Sequence, residues 1–113
     1  METLLKKRRK ALCLKRYNEA NKKLKSVVDL LYREGASEIL LFGSITIPER
    51  FTERSDIDIA VRGISEDKRF VLEGRIADLF GDIGFDILFL EDEMEIRKEI
   101  LEKIKTEAIA WSH

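Results

Sequence analysis

Two short apolar stretches separated by a loop constrain the fold of this chain more than any other feature. Residues 39–42 read Ile-Leu-Leu-Phe and end at a Gly-Ser pair, and residues 55–61 read Ser-Asp-Ile-Asp-Ile-Ala-Val. In the second stretch Asp56 and Asp58 alternate with apolar residues, which is the pattern of a β-strand with two unlike faces. A strand rises about 3.3 Å per residue, so carboxylates at i and i+2 lie roughly 7 Å apart on one face. Two negative charges at this distance favour a cation between them.

The Gly-Ser pair that ends the first stretch is typical of a turn that approaches a phosphate. Gly43 allows a close backbone approach, and the Ser44 hydroxyl and the amides that follow it can face a phosphate group. Together with the two aspartates, the pair indicates a phosphate-and-metal site. The alternative is an ordinary turn beside an acidic, solvent-exposed face of an edge strand.

Length and composition narrow the class of protein. A chain of 113 residues predicts one domain, which buries roughly two thirds of its unfolded surface. Cys13 is the only cysteine, so no intramolecular disulfide can form, and we expect a reducing compartment. No apolar run approaches the ~18 residues of a membrane helix, and the N-terminus is too basic for a signal peptide. We therefore expect a soluble, cytoplasmic protein with no membrane partner.

Charge is segregated along the chain, although the net charge is only −1. Residues 1–33 hold eleven Lys and Arg against three Asp and Glu, a net charge of +8. Residues 34–113 hold ten against nineteen, a net charge of −9. The basic segment, with its uninterrupted run at 6–10, indicates a nucleic-acid or an acidic protein partner. The alternative is a solvent-exposed helix face whose positive charge balances the negative charge of residues 34–113.

Apolar spacing predicts a long helix over residues 3–34, ended by Gly35. Its buried stripe is predicted to be Tyr17, Ala20, Leu24, Val27, Val28 and Leu31. The first half of this helix offers only four leucines for burial: Leu4, Leu5, Leu12 and Leu14. We therefore expect that half to project from the core, to fray or to dock on a partner.

Three strands and two further helices follow. Strands are predicted over 38–42, 57–62 and 85–90, the last apolar on both faces except at Asp86, as in a central strand. A helix capped by Ser65 is expected to end at Gly81. Its buried side is predicted as Val71, Ile76, Leu79 and Phe80. The last helix should start at a capping box of Asp92 and Glu95 and carry the stripe Ile96, Ile100, Ile104, Ala108 and Trp111.

This order of elements predicts an α/β (α+β) fold. We expect a small mixed β-sheet of about three to four strands, helices packed mainly on one face, and a long N-terminal helix. Residues 1–113 form a single domain in this interpretation, with 1–24 as a basic helical extension.

Asp86 is the third acidic residue of interest, because a carboxylate in an apolar strand must be hydrogen-bonded, neutralised or bound to a cation. If the third strand lies beside the second, Asp86 converges with Asp56 and Asp58. Three such carboxylates could bind two Mg²⁺ ions, whose remaining ligands are waters and phosphates. The alternative is that Asp86 only caps the start of a strand behind Gly84.

Residues 41–44, 55–58 and 85–87 together resemble the minimal nucleotidyltransferase (MNT) domain of the DNA polymerase beta-like superfamily, over about residues 25–110. Two positions depart from the family. Ile45 stands where members often carry Arg, and Pro48 interrupts the loop.

The resemblance implies a nucleotidyltransferase fold with a Mg²⁺-dependent site. Gly43 and Ser44 would hold the triphosphate of ATP, the nucleotide substrate. Asp56 and Asp58 would ligate two Mg²⁺ ions, and Asp86 would complete the metal site and help to deprotonate the attacking hydroxyl.

Stand-alone members of the family resemble antitoxins encoded beside HEPN-domain toxins. The resemblance implies an adenylyltransferase that moves AMP from ATP to a tyrosine of a helical HEPN partner, and so silences it. Two alternatives stay open: a catalytically weak module that neutralises its partner by occlusion, and a nucleotidyltransferase acting on RNA or a small molecule. Homo- and hetero-oligomers are both compatible with the sequence. His113 is the only histidine, so no Ser-His or Cys-His pair is expected.

Overall fold

The structure, a computed structural model, describes residues 3–52 and 54–111; His113 and the side chains of Lys10 and Cys13 lie outside the described residues. The predictions for Cys13 and His113 therefore stay predictions. The helices and strands of the described part are α1 (Leu4–Arg33), β1 (Glu38–Phe42), β2 (Ile57–Arg62), α2 (Glu66–Phe80), β3 (Phe85–Phe89), α3 (Lys98–Glu107) and β4 (Ile109–Ala110). Short 3-10 segments lie at Gly43–Thr46, Pro48–Arg50 and Leu90–Glu95.

The long helix α1 has the predicted bounds to within one residue. It begins after Thr3, whose hydroxyl oxygen accepts a hydrogen bond from the Lys6 amide at 3.2 Å and satisfies one free N–H of the first turn. It ends before Gly35, whose φ of +114° suits glycine and stops the helix. The predicted stripe is confirmed, with Tyr17 partly buried and the remaining members fully buried: Ala20, Leu24, Val27, Val28 and Leu31.

The four strands form one mixed sheet in the order β3-β2-β1-β4. β1 pairs antiparallel with β2 and β4, and β2 pairs parallel with β3. The prediction that residues 85–90 form a central strand is wrong, because β3 lies at an edge of this sheet. Its apolar side chains are covered by other groups: the ring of Phe80 lies 5.3 Å from that of Phe85, and Arg69 lies 4.3 Å above the ring of Phe89.

Each face of the sheet packs against different helices. One face contributes Ile39, Leu41, Ile57, Ile59 and Val61 to the main core, which α1 and α2 complete. The other face forms a smaller cluster in which Phe42 and Ala60 pack with Ile104 of α3 and with Leu90. The two longer helices share one face, as predicted, and the short α3 lies on the opposite face.

The buried side of α2 differs from the prediction at three positions, because Val71 and Leu79 were predicted to be buried and Leu72 was not. Val71 and Leu79 are 62% and 40% exposed, whereas Leu72, Ile76 and Phe80 are buried. These three residues are spaced by four, so they form one narrow ridge against the main core, and the predicted stripe was too wide.

The C-terminal region also departs from the prediction. Asp92 does not cap a helix, since its carboxylate accepts a hydrogen bond from Arg69 at 2.7 Å within a 3-10 segment. The helix α3 begins later, at Lys98, and ends at Glu107. Trp111 lies beyond β4, with its amide donating to the Ile39 carbonyl at 2.9 Å. The pairing of β4 with β1 therefore takes the place of a last helical turn.

Across residues 3–52 and 54–111, none of the helices combines the length and the apolar character that a membrane span needs.

Candidate active site

Asp58 and Asp86 are directly paired residues of the parallel strands β2 and β3. Paired positions of neighbouring strands point to the same face of a sheet. Phe42 is the partner of Asp58 on β1 and packs in the smaller cluster, which identifies this as the α3 face. The two carboxylates therefore lie side by side on the face opposite α1 and α2.

Asp56 lies at the start of β2, two residues before Asp58. The amide of Ile57 donates to the carbonyl of Gly84 at 2.9 Å, which fixes this end of β2 to the residue before β3. The Asp56 carboxylate lies against Gly84, so that a Cβ atom added to Gly84 would overlap it. The three aspartates predicted as site residues are thus placed at the beginnings of two adjacent parallel strands.

Gly43 brings the Gly-Ser turn into contact with Asp58. It has a φ of +77°, which favours glycine, and a Cβ atom at this position would overlap the Asp58 carboxylate. Ser44 is half-buried in the 3-10 segment that follows, and Thr46 closes this turn by donating its hydroxyl to the Gly43 carbonyl at 2.7 Å. The structure therefore places Gly43 directly beside the Asp58 carboxylate.

The loop after the turn is held by apolar side chains. Ile45 is only 3% exposed and Phe51 is fully buried, with its ring 6.2 Å from that of Tyr17. Ile45 stands where members of the minimal nucleotidyltransferase family often carry Arg, and its side chain packs in the core. Pro48 begins its own 3-10 turn, where its fixed φ is compatible with a helical start.

The electrostatic environment of Asp58 is unusual. Partial burial, together with repulsion from Asp86 and then Asp56, raises the pKa of Asp58 from 3.8 to about 6. Lys103 acts in the opposite direction and lowers this pKa. Asp58 is thus repelled by both Asp86 and Asp56, and a cation that entered beside it would relieve this repulsion.

Lys103 was not identified from the sequence. It lies on α3 beside Ile104, which packs on the aspartate face of the sheet. The pattern of the last helix shows which residues are apolar, but it does not show which face of the sheet the helix covers. Only the packing of α3 brings this ammonium group towards Asp58.

Magnesium is the ion that this donor set would suit, because carboxylate oxygens are its preferred protein ligands. In residues 3–52 and 54–111, however, no three acidic, histidine or cysteine side chains are gathered into a group that could hold an ion. The three aspartates offer suitable oxygen ligands and lie at the beginnings of the adjacent strands β2 and β3, so the strand register brings them to the same end of the sheet.

A basic groove of about 790 Å³ lies between α1 and the loop that leads to the aspartates. Its lining includes Arg9, Lys15, Arg16, Arg54 and Asp82. Arg16 donates a hydrogen bond to the Asp82 carboxylate at 3.2 Å, which lowers the pKa of Asp82. Arg54 precedes Asp56 by two positions and Asp82 precedes Asp86 by four, so the groove lies close to the candidate site.

Comparison with solved structures identifies the fold. A toxin–antitoxin with AMP-PNP matches with 23% identity and a TM-score of 0.60, over 79% of this chain and 73% of that chain. A protein proposed to be a minimal nucleotidyltransferase matches with 24% identity and a TM-score of 0.62, over 82% of this chain and 93% of that one.

A third match is the complex of an MNT antitoxin with the tri-AMPylated HEPN toxin of Shewanella oneidensis. Its identity is 21% and its TM-score 0.57, over 83% of this chain and 73% of that one. No protein-family model and no curated protein matches this chain.

The chain has a nucleotidyltransferase fold. More specifically, it has the MNT type of that fold, as the sequence motifs had indicated.

Proposed function

We propose that this protein is a Mg²⁺-dependent nucleotidyltransferase that transfers AMP from ATP to a tyrosine hydroxyl of a HEPN-type toxin, and thereby acts as an antitoxin. The observation that carries the proposal is the direct pairing of Asp58 with Asp86 on one sheet face, beside the turn at Gly43. Pairing of this kind places two carboxylates at a fixed spacing next to a backbone that a phosphate can approach.

In this proposal Asp56, Asp58 and Asp86 hold the magnesium ions. Bound Mg²⁺ would neutralise charge on the phosphates and on the leaving pyrophosphate. Partial burial is the largest cause of the raised pKa of Asp58, and repulsion from Asp86 and Asp56 adds to it. A divalent cation would relieve that repulsion, which supports this assignment.

The residues of the turn position the nucleotide. Gly43 has no side chain to separate the backbone from a phosphate, and Ser44 offers a hydroxyl next to it. The half-burial of Ser44 leaves it reachable from solvent. Holding the triphosphate here would place its α-phosphorus near the aspartates, and positioning of this kind supplies a large part of catalysis in phosphoryl transfer.

Asp86 is the residue that would accept the proton in the chemical step. The acceptor oxygen forms a bond to the α-phosphorus while the bond from that phosphorus to the pyrophosphate oxygen breaks. The hydroxyl proton passes to a carboxylate oxygen of Asp86, which is exposed and can be approached by an acceptor. Pyrophosphate leaves, and the products are AMP-tyrosine and pyrophosphate.

The solved relatives support this choice of reaction and partner. One is a toxin–antitoxin bound to an ATP analogue, and another is an MNT antitoxin with an AMPylated HEPN toxin. At 21–24% identity the likeness extends to the fold, so nucleotide, acceptor and antitoxin role are proposals for the present chain.

A second candidate function is a binding module that neutralises its partner by occlusion, without chemistry. The observation in its favour is that the described residues include no group of three ligands already gathered for a metal. A nucleotidyltransferase acting on RNA or a small molecule is the further alternative, for which the basic groove near Arg54 is the relevant feature.

The decisive experiment incubates the protein with ATP labelled at the α-phosphate, MgCl₂ and the HEPN-type protein encoded by a neighbouring gene. We expect label on the HEPN protein with wild type and with the control Asp78→Asn, which changes an exposed carboxylate on α2. We expect loss of label with Asp58→Asn and Asp86→Asn. The same variants are then tested for protection of cells that express the toxin. If the aspartate variants still protect the cells, protection is by occlusion, and the proposal that AMP transfer silences the toxin is wrong.

A further inference from the structure

The first half of α1 leaves large apolar side chains in solvent. Leu4, Leu5, Leu12 and Leu14 are 69%, 69%, 65% and 55% exposed. The helix is about 45 Å long at 1.5 Å per residue, and the molecule measures 52 Å along its longest axis but only 29 and 22 Å across. We call residues 4–15 the N-terminal arm, because the continuous buried stripe of α1 begins only after them.

The described basic side chains at residues 6–9 of the arm have no acidic partners in the described part of the chain. Lys6, Lys7, Arg8 and Arg9 are exposed, and no described carboxylate lies within ion-pair distance of them. The arm therefore combines uncovered apolar surface with uncompensated positive charge.

A second exposed apolar patch lies on the outer side of α2 and carries the opposite charge. Phe70 is 87% exposed and Val71 is 62% exposed. Glu66, Asp67 and Glu73 are exposed as well and lie three or four residues from Phe70, so they surround it on the helix surface. We call this patch the acidic α2 face.

We infer that the N-terminal arm of one copy docks on the acidic α2 face of a second copy. Leucines on the arm would cover Phe70 and Val71, while the cations of the arm would face the three carboxylates around them. Both halves of the contact belong to this chain, so its charge complementarity requires no other protein.

Interface size favours a reciprocal arrangement. The arm is about 18 Å long, so a single arm contact is small. Two contacts related by a two-fold axis double the buried area, towards the roughly 800 Å² per partner of a specific protein–protein interface of standard size. The symmetric pair also closes on itself, because each copy supplies one arm and one acidic α2 face.

Nucleic acid explains the arm less completely. A phosphate backbone would neutralise the lysines and arginines but would leave the leucines in water, and it would gain nothing from the acidic α2 face. A second copy of this chain accounts for both patches.

Charge reversal tests the inference without removing any helix. The arm variant carries Lys6→Glu, Lys7→Glu, Arg8→Glu and Arg9→Glu, and the face variant carries Asp67→Lys and Glu73→Lys. Lys22→Glu with Lys25→Glu is the control for reversed charge on α1 outside the arm, since these lysines are exposed but lie beyond residue 15. Far-UV circular dichroism verifies that each variant is folded.

Analytical ultracentrifugation then measures the mass over a range of concentrations. Wild type and control are expected to form dimers of twice the 13.2 kDa chain mass, and each reversal variant should raise the dissociation constant about tenfold or more. An equimolar mixture of the two variants should recover the dimer, because both of its contacts again join opposite charges.

Three results would overturn the inference. The first is a wild-type chain that stays at 13.2 kDa at every concentration, including one that then binds a labelled RNA oligonucleotide through the arm. The second is a control variant that weakens association as much as the arm variant does. The third is a mixture of the two reversal variants that remains monomeric.

Discussion

Asp58 on β2 and Asp86 on β3 are direct partners across two parallel strands, so their side chains emerge together from one face of the sheet. Hydrogen-bonded strands lie about 4.8 Å apart. Two carboxylates at this spacing repel each other, and partial burial followed by this repulsion raises the pKa of Asp58. The candidate site is therefore also a local source of instability.

The stability of the metal-free protein should depend on the charge of Asp58. Burial and the neighbouring aspartates raise its pKa to about 6, so the folded state binds more protons than the unfolded state between pH 4 and 6. The stabilising contribution of neutral Asp58 is present below this range and is lost as the pH rises through about 6.

We expect Asp58→Asn to stabilise the protein at pH 7.5 by about 1 kcal/mol, a value reduced because the carboxyl is only half-buried. At pH 4 the two proteins should differ little. Urea unfolding in EDTA at both pH values measures this, and equal differences at the two pH values would contradict it.

Magnesium should stabilise the folded protein if the aspartates hold it. A ligand that binds only the native state raises the melting temperature with its concentration. At pH 7.5 we expect added MgCl₂ to raise the melting temperature of wild type and of Asp78→Asn, but not of Asp86→Asn. Differential scanning fluorimetry with a matched NaCl series separates specific binding from ionic strength. An equal shift in all three proteins would contradict metal binding at Asp86.

Gly43 should not tolerate a side chain. Its φ of +77° and the contact with Asp58 both oppose a Cβ atom, so we expect Gly43→Ala to destabilise the fold by about 1–3 kcal/mol. Gly74 in the middle of α2 is the matched control, because a Cβ atom there meets nothing within 4 Å. Gly74→Ala should stabilise the protein by about 0.5–1 kcal/mol. Chemical unfolding of both variants, compared at one pH, would show whether they differ in sign.

Arg69 should contribute to stability at the β3 edge. Its side chain is 15% exposed, donates to Asp92 at 2.7 Å and lies over the ring of Phe89 at 4.3 Å. We expect Arg69→Ala to cost about 1–3 kcal/mol through the lost charged hydrogen bond and ring contact.

Arg75→Ala provides the comparison for Arg69. Arg75 is 53% exposed and pairs with Glu34 at 3.4 Å, so its loss should cost less than about 1 kcal/mol. Thermal unfolding of both variants measures the difference. Equal losses of stability in the two variants would mean that the hydrogen bond to Asp92 and the contact with Phe89 do not add to the stability of the protein.

Much of the fold could be predicted from local patterns. An apolar run ended by Gly-Ser predicted the observed bounds of β1, and strict alternation predicted those of β2. Gly35 and Gly81 ended helices where expected. These predictions succeeded because alternation, apolar periodicity and glycine act within a few residues of the chain.

The predictions that proved wrong concern features that depend on contacts with distant parts of the chain. Asp92 and Glu95 have the spacing of a capping box, but Arg69, from another helix, binds the Asp92 carboxylate. Ala108 and Trp111 continue a helical stripe in sequence, yet β1 offers an unpaired edge and pairs with the residues between them, Ile109 and Ala110, as a strand. Val71 and Leu79 fit an amphipathic helix, but the core accepts only a narrower ridge.

The sequence by itself determined which residue types could form a site: a Gly-Ser turn, an Asp-x-Asp strand and a lone aspartate in an apolar strand. Periodicity and residue chemistry are properties of the chain, so they can be read without coordinates. Only the tertiary structure decided that Asp86 faces the same side as Asp58 and that α3 brings Lys103 towards them. Strand order, strand register and the face that a helix covers depend on the packing of segments far apart in sequence, and no local pattern encodes that packing.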